Sequence, residues 1–161
     1  MPHRQLVGLG VEAIGLGWIE VVGTLRGLFV GKKGRVIRIL VVDDNPAVRR
    51  SLRGVLEQHQ GWRVCDEAGN GEEAVERFRK IRPDVIVLDF QMPEMNGLDA
   101  ARIISRLSPE TPILMVTLYP SKQLFEEARK VGIRGTCAKT NIDCVVDAVG
   151  ALLREETYFP N

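Results

Sequence analysis

The chain predicts an α/β fold, a doubly wound parallel sheet with helices on both faces, and three observations carry that expectation. Val85-Ile86-Val87-Leu88 is an apolar run, mostly β-branched, of the kind that suits a strand buried on both sides. Comparable runs alternate, from Val36 onward, with segments whose apolar residues recur at helical spacing. The runs also end abruptly in polar residues: Asp43-Asp44, Asp89, Thr117 and Lys139. In an open parallel sheet, ligand chemistry gathers just beyond the carboxyl ends of the strands.

The elements follow in order. Val36 to Val42 is a β-rich run closed by Asp43-Asp44. Asn45-Pro46 supplies a helix cap followed by proline at the first helical position, and Val48, Leu52, Val55 and Leu56 form that helix's apolar stripe, which Gly61 stops. Trp62 to Ala68 is the second strand. Asn70 with Glu73 resembles a capping box, opening a helix with Ala74, Val75 and Phe78 inward, and Arg82-Pro83-Asp84 breaks it. The third strand, Val85 to Leu88, ends at Asp89, and a loop carrying Pro93 and Asn96-Gly97 follows. Ala100, Ile103, Ile104 and Leu107 mark the inner face of the next helix, with Pro109 and Pro112 at its exit. Ile113 to Val116 is a fourth strand ending in Thr117. Ser121 caps a helix with Leu124, Ala128 and Val131 inward, and Gly132 ends it. Ile133 to Ala138 is a fifth strand ending in Lys139, and Ile142, Val145, Val146, Val149, Leu152 and Leu153 line the last helix. Five such units over about 125 residues fit one ordinary domain. Right-handed crossovers then favour the flavodoxin-like strand order 2-1-3-4-5.

Residues 1–35 differ in texture. Residues 1–34 hold eight of the sixteen glycines, and no lysine or arginine stands between Arg4 and Arg26. Val11, Ile14, Trp18, Val21, Val22 and Leu25 recur at roughly helical spacing, while Glu12 and Glu20 interrupt the apolar run well short of a membrane span. The pattern also lacks the basic start and unbroken core of a signal peptide. Two expectations stay open: a weak amphipathic helix that packs or touches a membrane, or upstream sequence mistaken for coding. In the second, Val36 is the initiator, and the intact mass of the native protein decides the matter. Lys32-Lys33-Gly34-Arg35 reads as a solvated linker.

Composition excludes several classes of chemistry. A formal net charge of +1 offers no global attraction for nucleic acid or an acidic membrane surface. His3 and His59 are the only histidines, too little for zinc sites or Ser/His triads. Cys65, Cys137 and Cys144 show no pairing spacing, so they are read as free, mostly buried small hydrophobes of a reduced, cytoplasmic protein.

What remains is the set of strand-end residues. Asp43, Asp44 and Asp89 repel one another unless a cation joins them, and an all-oxygen set favours Mg²⁺. A carboxylate beside such an ion can act as a nucleophile and form an acyl phosphate. Phosphoryl transfer then needs chiefly alignment and charge neutralisation, which the Lys139 ammonium and Thr117 hydroxyl can share.

Val41-Val42-Asp43-Asp44, the D-x-x-M-P-x-x-N-G string from Asp89 to Gly97, Thr117 and Lys139 together resemble the receiver domain of bacterial two-component response regulators, over roughly Val36 to Phe159. The wording of the last helix, A-V-G-A-L-L-R-E-E-T-Y-F, is similar to receivers of nitrate-response-type helix-turn-helix regulators. The resemblance implies that Asp89 is the phosphoacceptor, charged by a sensor histidine kinase or a histidine phosphotransfer protein. It implies that Asp44 binds Mg²⁺ directly and Asp43 through water, with Asp89 and the main-chain carbonyl of Gln91 completing the set. Thr117 then hydrogen-bonds the phosphoryl group and Lys139 pairs with it, giving Asp89 and Lys139 the catalytic roles. Pro93 and Gly97 shape the loop. The face of the fourth helix, fifth strand and fifth helix would bind a partner or a second copy. No recognition helix or basic face is evident, so no direct DNA binding by this chain is expected: it is read either as a single-domain receiver or as one whose output domain has been lost.

Three departures qualify that pattern. Thr136 stands three residues before Lys139, where many relatives carry an aromatic switch residue. Leu118 follows Thr117 where relatives usually have Ala, Ser or Gly, and Thr140 follows Lys139 where many have Pro. A phosphorylation-independent interaction module of the same fold is therefore the alternative. A Mg²⁺-dependent hydrolase ranks last, because Gln91 stands where such phosphatases usually place a second carboxylate.

Overall fold

The structure, a computed structural model, describes residues 34–160; the expectations for residues 1–33 lie outside the described residues. Among the described residues, five strands, β1 (Ile37–Val42), β2 (Trp62–Ala68), β3 (Val85–Asp89), β4 (Ile113–Thr117) and β5 (Gly135–Ala138), alternate with five helices. The helices are α1 (Pro46–Leu56), α2 (Gly71–Ile81), α3 (Gly97–Leu107), α4 (Lys122–Lys130) and α5 (Ile142–Leu153). All strand pairs are parallel and the order is β2-β1-β3-β4-β5. This is the flavodoxin-like order expected from the sequence.

The period-2 alternation of the strands sorts the apolar residues into two layers. Ile39, Val41, Val87, Leu114, Val116 and Cys137 pack on one face with Leu52 and Leu56 of α1 and with Val145, Val149 and Leu152 of α5. Leu40, Val42, Ile86, Leu88 and Met115 pack on the other with Phe78 of α2, Ile104 of α3 and Leu124 of α4. Every residue of β3 and β4 is buried, which explains why these strands read as continuous apolar runs. Each buried Leu, Ile or Val contributes about 1.5–3 kcal/mol relative to exposure, so the two layers dominate the stability.

Local signals set most boundaries. Asn45, Asn70, Asn96, Ser121 and Asn141 each accept a hydrogen bond from a backbone N–H in the first turn of their helix. At α2 the box is displaced by one residue: Asn70 accepts from the Glu73 N–H at 2.8 Å, but Glu73 reaches back to the N–H of Gly69 at 2.7 Å. Leu107, assigned to the inner face of α3, is 43% exposed and is the last residue of the helix. The fifth strand is also shorter than expected, since Ile133 and Arg134 form its approach.

One expectation is overturned. Cys137 and Cys144 are not free but joined in a disulfide, and Cys65 is the free cysteine among the described residues. The loop after β5 turns the chain back so that α5 starts beside the strand it has just left. The two Cα atoms thereby stand 6.2 Å apart, within disulfide reach although the cysteines lie seven positions apart in the chain.

Candidate functional site

Strand register alone brings the acidic residues together. Val42 pairs with Leu88, so the next residues, Asp43 and Asp89, leave β1 and β3 at the same level. Alternation sets their direction: Val41 and Val87 face α1 and α5, and so do the aspartates two residues on. Cys137 faces the same way, which aims Lys139 at the same end of the same face. The Lys139 Nζ lies 2.6 Å from Oδ2 of Asp43 and 2.9 Å from Oδ2 of Asp89.

The surroundings hold this cluster in place. Asp43 and Asp89 are almost fully buried, at 1% and 2% exposure, while Asp44 is open to solvent. The N–H of Asn45 donates to Asp43 Oδ1 at 2.9 Å, and the N–H of Gln91 donates to Asp89 Oδ1 at 3.2 Å. Burial pushes the Asp89 carboxyl above the usual carboxylate range; the Lys139 hydrogen bond opposes this and the charge of Asp43 reinforces it. Burial alone would lower the Lys139 ammonium, but its hydrogen bonds to Asp43 and Asp89 outweigh that and raise it.

The remaining predicted residues divide into two groups. Gln91 and Leu118 line the open depression over Asp89 together with Asp44 and Lys139, and Leu118 is 50% exposed there. Thr117 ends β4 beside the site, but it follows Val116 and so starts on the opposite face; its buried hydroxyl accepts from the Tyr119 N–H at 3.2 Å. Thr136 pairs with Met115, on the α4 side of the sheet, fully buried and away from the carboxylates. Pro93 accepts from the Met95 N–H at 2.9 Å, closing a turn in which Glu94 takes φ 68°. Gly97 opens α3 directly against the end of β3, where a Cβ would overlap the Asp89 carbonyl oxygen.

Sequence reasoning missed Arg49. Its guanidinium donates to the Asp43 carbonyl at 2.6 Å and to Glu67 Oε2 at 3.0 Å, tying the start of α1 to β2 behind the site. A surface arginine on a helix carries no sequence signal of such a role. Val48, Ser51 and Ile142 also line the depression and were likewise not singled out as site residues.

One oxygen from each of Asp43, Asp44 and Asp89 lies within 4.8 Å of the others. Three carboxylates beside one ammonium leave an excess of negative charge in a partly buried site. With only oxygen donors and one solvent-facing member, the set fits a hard divalent cation such as Mg²⁺ that retains waters.

A five-stranded parallel sheet in this order, with an acidic pocket and a lysine at its carboxyl end, defines a flavodoxin-like α/β domain whose ligand site lies beyond the strand ends. Residues 39–149 match the response regulator receiver domain, and the chain belongs to that family. It is 35% identical over 102 residues to the chemotaxis protein CheY of Thermotoga maritima, covering 63% of this chain and 84% of that protein. A protein-glutamate methylesterase/protein-glutamine glutaminase of Alkalilimnicola ehrlichii is 52% identical over 79 residues, 49% of this chain. The chain spans only about a fifth of the length of that relative (20%). Among solved structures, a LuxR-family two-component response regulator from an Aurantimonas species superposes with TM-score 0.73 at 30% identity, over 75% of this chain and 87% of that one. The response regulator domain of Thermotoga maritima CheB gives TM-score 0.68 at 30% identity, over 75% and 96%. The chain is thus a receiver domain of two-component signalling, and no helix among the described residues is long and apolar enough to cross a membrane.

Proposed function

We propose that Asp89 is the phosphoacceptor of a phosphorelay and takes its phosphoryl group from a phosphohistidine on a sensor histidine kinase or phosphotransfer protein. The observation that carries this reading is the convergence of Asp43, Asp44, Asp89 and Lys139 on one solvent-open depression. An Asp89 carboxylate oxygen forms the new bond to phosphorus as the P–N bond breaks, and the imidazole leaves with the electron pair. Lys139 already touches Asp89 and follows the charge onto the phosphoryl group. Asp44, Asp43, Asp89 and the Gln91 carbonyl would hold Mg²⁺, which supplies charge neutralisation on the phosphoryl oxygens when bound. Thr117, buried at the neighbouring strand end, is the hydroxyl that would turn toward the phosphoryl group. Its move would alter the face of α4, β5 and α5, through which a partner or a second copy binds. The setting is the cytoplasm, where such kinases present their phosphohistidine.

Thr136 keeps one alternative in view. With no aromatic side chain there, the domain could bind partners without phosphate. Both readings are tested by incubating the protein with Mg²⁺ and acetyl phosphate and measuring intact mass, alongside Asp89→Asn. A gain of one phosphoryl group in the wild type, absent from the variant, is the expected result. Equal masses with and without the donor overturn the phosphoacceptor reading and leave the phosphate-independent module.

A further inference from the structure

The strand β5 lies at the edge of the sheet, and its outer side is occupied by the segment that follows α5. The Thr136 N–H donates to the Tyr158 carbonyl at 2.8 Å, and the Tyr158 N–H donates to the Arg134 carbonyl at 2.9 Å, a parallel bridge centred on Gly135. Gly135 permits the approach, since a Cβ there would stand 2.9 Å from the Tyr158 oxygen. Phe159 then anchors the segment, edge-on to Phe125 with centroids 6.5 Å apart and with the Arg129 guanidinium 4.0 Å from its ring centre. The slot is therefore built for an extended segment with an aromatic anchor, the mode of recognition known as strand addition.

The hinge that delivers this segment works against its own sequence. The helix α5 ends in a Schellman turn: the Glu155 N–H donates to the Leu152 carbonyl and the Glu156 N–H to the Ala151 carbonyl, each near 3 Å (3.0 and 3.1 Å). That turn needs a left-handed residue, a position normally given to glycine, and here Glu155 holds it at φ 64°. Arg154, Glu155 and Glu156 are good helix formers, so local preference favours prolonging α5. A prolonged α5 would carry Tyr158 and Phe159 away from their own slot. Short hinges under strain promote exchange of the segment they carry.

We infer that residues 157–160 exchange reciprocally between two copies of the chain, each segment filling the β5 edge of its partner, with Glu155 as the strained hinge. Every contact made by Tyr158 and Phe159 is reproduced in the exchanged form, and both left-handed glutamates are released. The pairing is two-fold, with the same surface on both copies. It goes beyond the phosphoacceptor reading and does not rest on it.

The test uses the full chain without phosphodonor, concentrated and then diluted, with mass followed by size exclusion and light scattering. A dimer that persists after dilution is expected in the wild type. Glu155→Gly removes the strain of the closed turn and disfavours the prolonged helix. It should raise the dimer dissociation constant roughly tenfold per hinge, about a hundredfold for the pair. Phe159→Ala removes the same ring contacts from the closed monomer and from the exchanged dimer, so it should leave the dissociation constant nearly unchanged, and a large loss of dimer there would overturn the exchange. A protein that stays monomeric throughout, or a dimer that Glu155→Gly leaves as tight as before, overturns the inference.

Discussion

Lys139 sits between two buried carboxylates, and one positive charge does not neutralise two negative ones. The consequence can be worked out for Asp89, whose carboxyl is raised by burial and by Asp43 against the pull of Lys139. An acid with a raised folded pKa contributes stability that is complete below its unfolded pKa and is lost as pH rises through the folded one. Asp89→Asn should therefore raise the Tm at neutral pH in the presence of a chelator by a few degrees, about 1 kcal/mol. The gain should vanish below about pH 4, where the unfolded carboxyl is also protonated. Added Mg²⁺ should narrow the difference by stabilising the wild type more than the variant. Leu118 makes a different residue-scale case. It is half exposed over the depression that holds Asp89, where water must arrive to hydrolyse an acyl phosphate. Leu118→Ala should shorten the phosphoryl lifetime severalfold, measured by intact mass after donor removal; an unchanged lifetime would refute the shielding role.

At the scale of elements, two glycines that look alike in the sequence behave oppositely. Gly97 starts α3 where no Cβ fits against the end of β3, so Gly97→Ala must displace the backbone that carries Asp89. A loss of about 2–3 kcal/mol is expected in denaturant unfolding, together with slower phosphorylation. Gly54 lies in α1 with nothing within 4 Å of an added Cβ, and Gly54→Ala should stabilise by about 0.5–1 kcal/mol. Helix α1 is also tied to β2 by ion pairs, with Glu67 accepting from Arg49 at 3.0 Å and from Arg53 at 2.7 Å. Burial would raise the Glu67 carboxyl, but the two arginines outweigh it and hold the group below its ordinary value. Stability from such a depressed acid is present above its unfolded pKa and lost as pH falls through the folded one. Glu67→Gln should thus cost about 1 kcal/mol near neutral pH, and the cost should fade as the acid range is entered. Thermal melts across pH would show that convergence.

For the whole molecule, the sequence made the layers, the strand order and the end of the sheet readable because buried parallel strands write themselves as uninterrupted apolar runs. It placed Asp43, Asp89 and Lys139 at one end, but not on one face, since a face depends on the register between strands. That is why Thr117, which stands one residue out of phase with Asp89, could not be separated from the others until Val116 was seen opposite Asp89. The Cys137–Cys144 link and the Tyr158–Gly135 bridge were hidden for a similar reason: both arise where the chain doubles back, and neither has a local signature. The apolar layers that define the domain draw on residues from Ile39 to Leu152 among those described, with Phe159 packed at the margin. A polypeptide beginning at Val36 therefore contains both layers, the five strands of the described residues and every candidate site residue. It should unfold in one cooperative transition and retain phosphorylation of Asp89 by acetyl phosphate. Its Tm should lie within about 2 °C of the full chain, a difference worth well under 1 kcal/mol for a domain of this size. A larger fall, or loss of the cooperative transition, would mean that residues 1–35 contribute to the core, against the reading that the receiver begins at Val36.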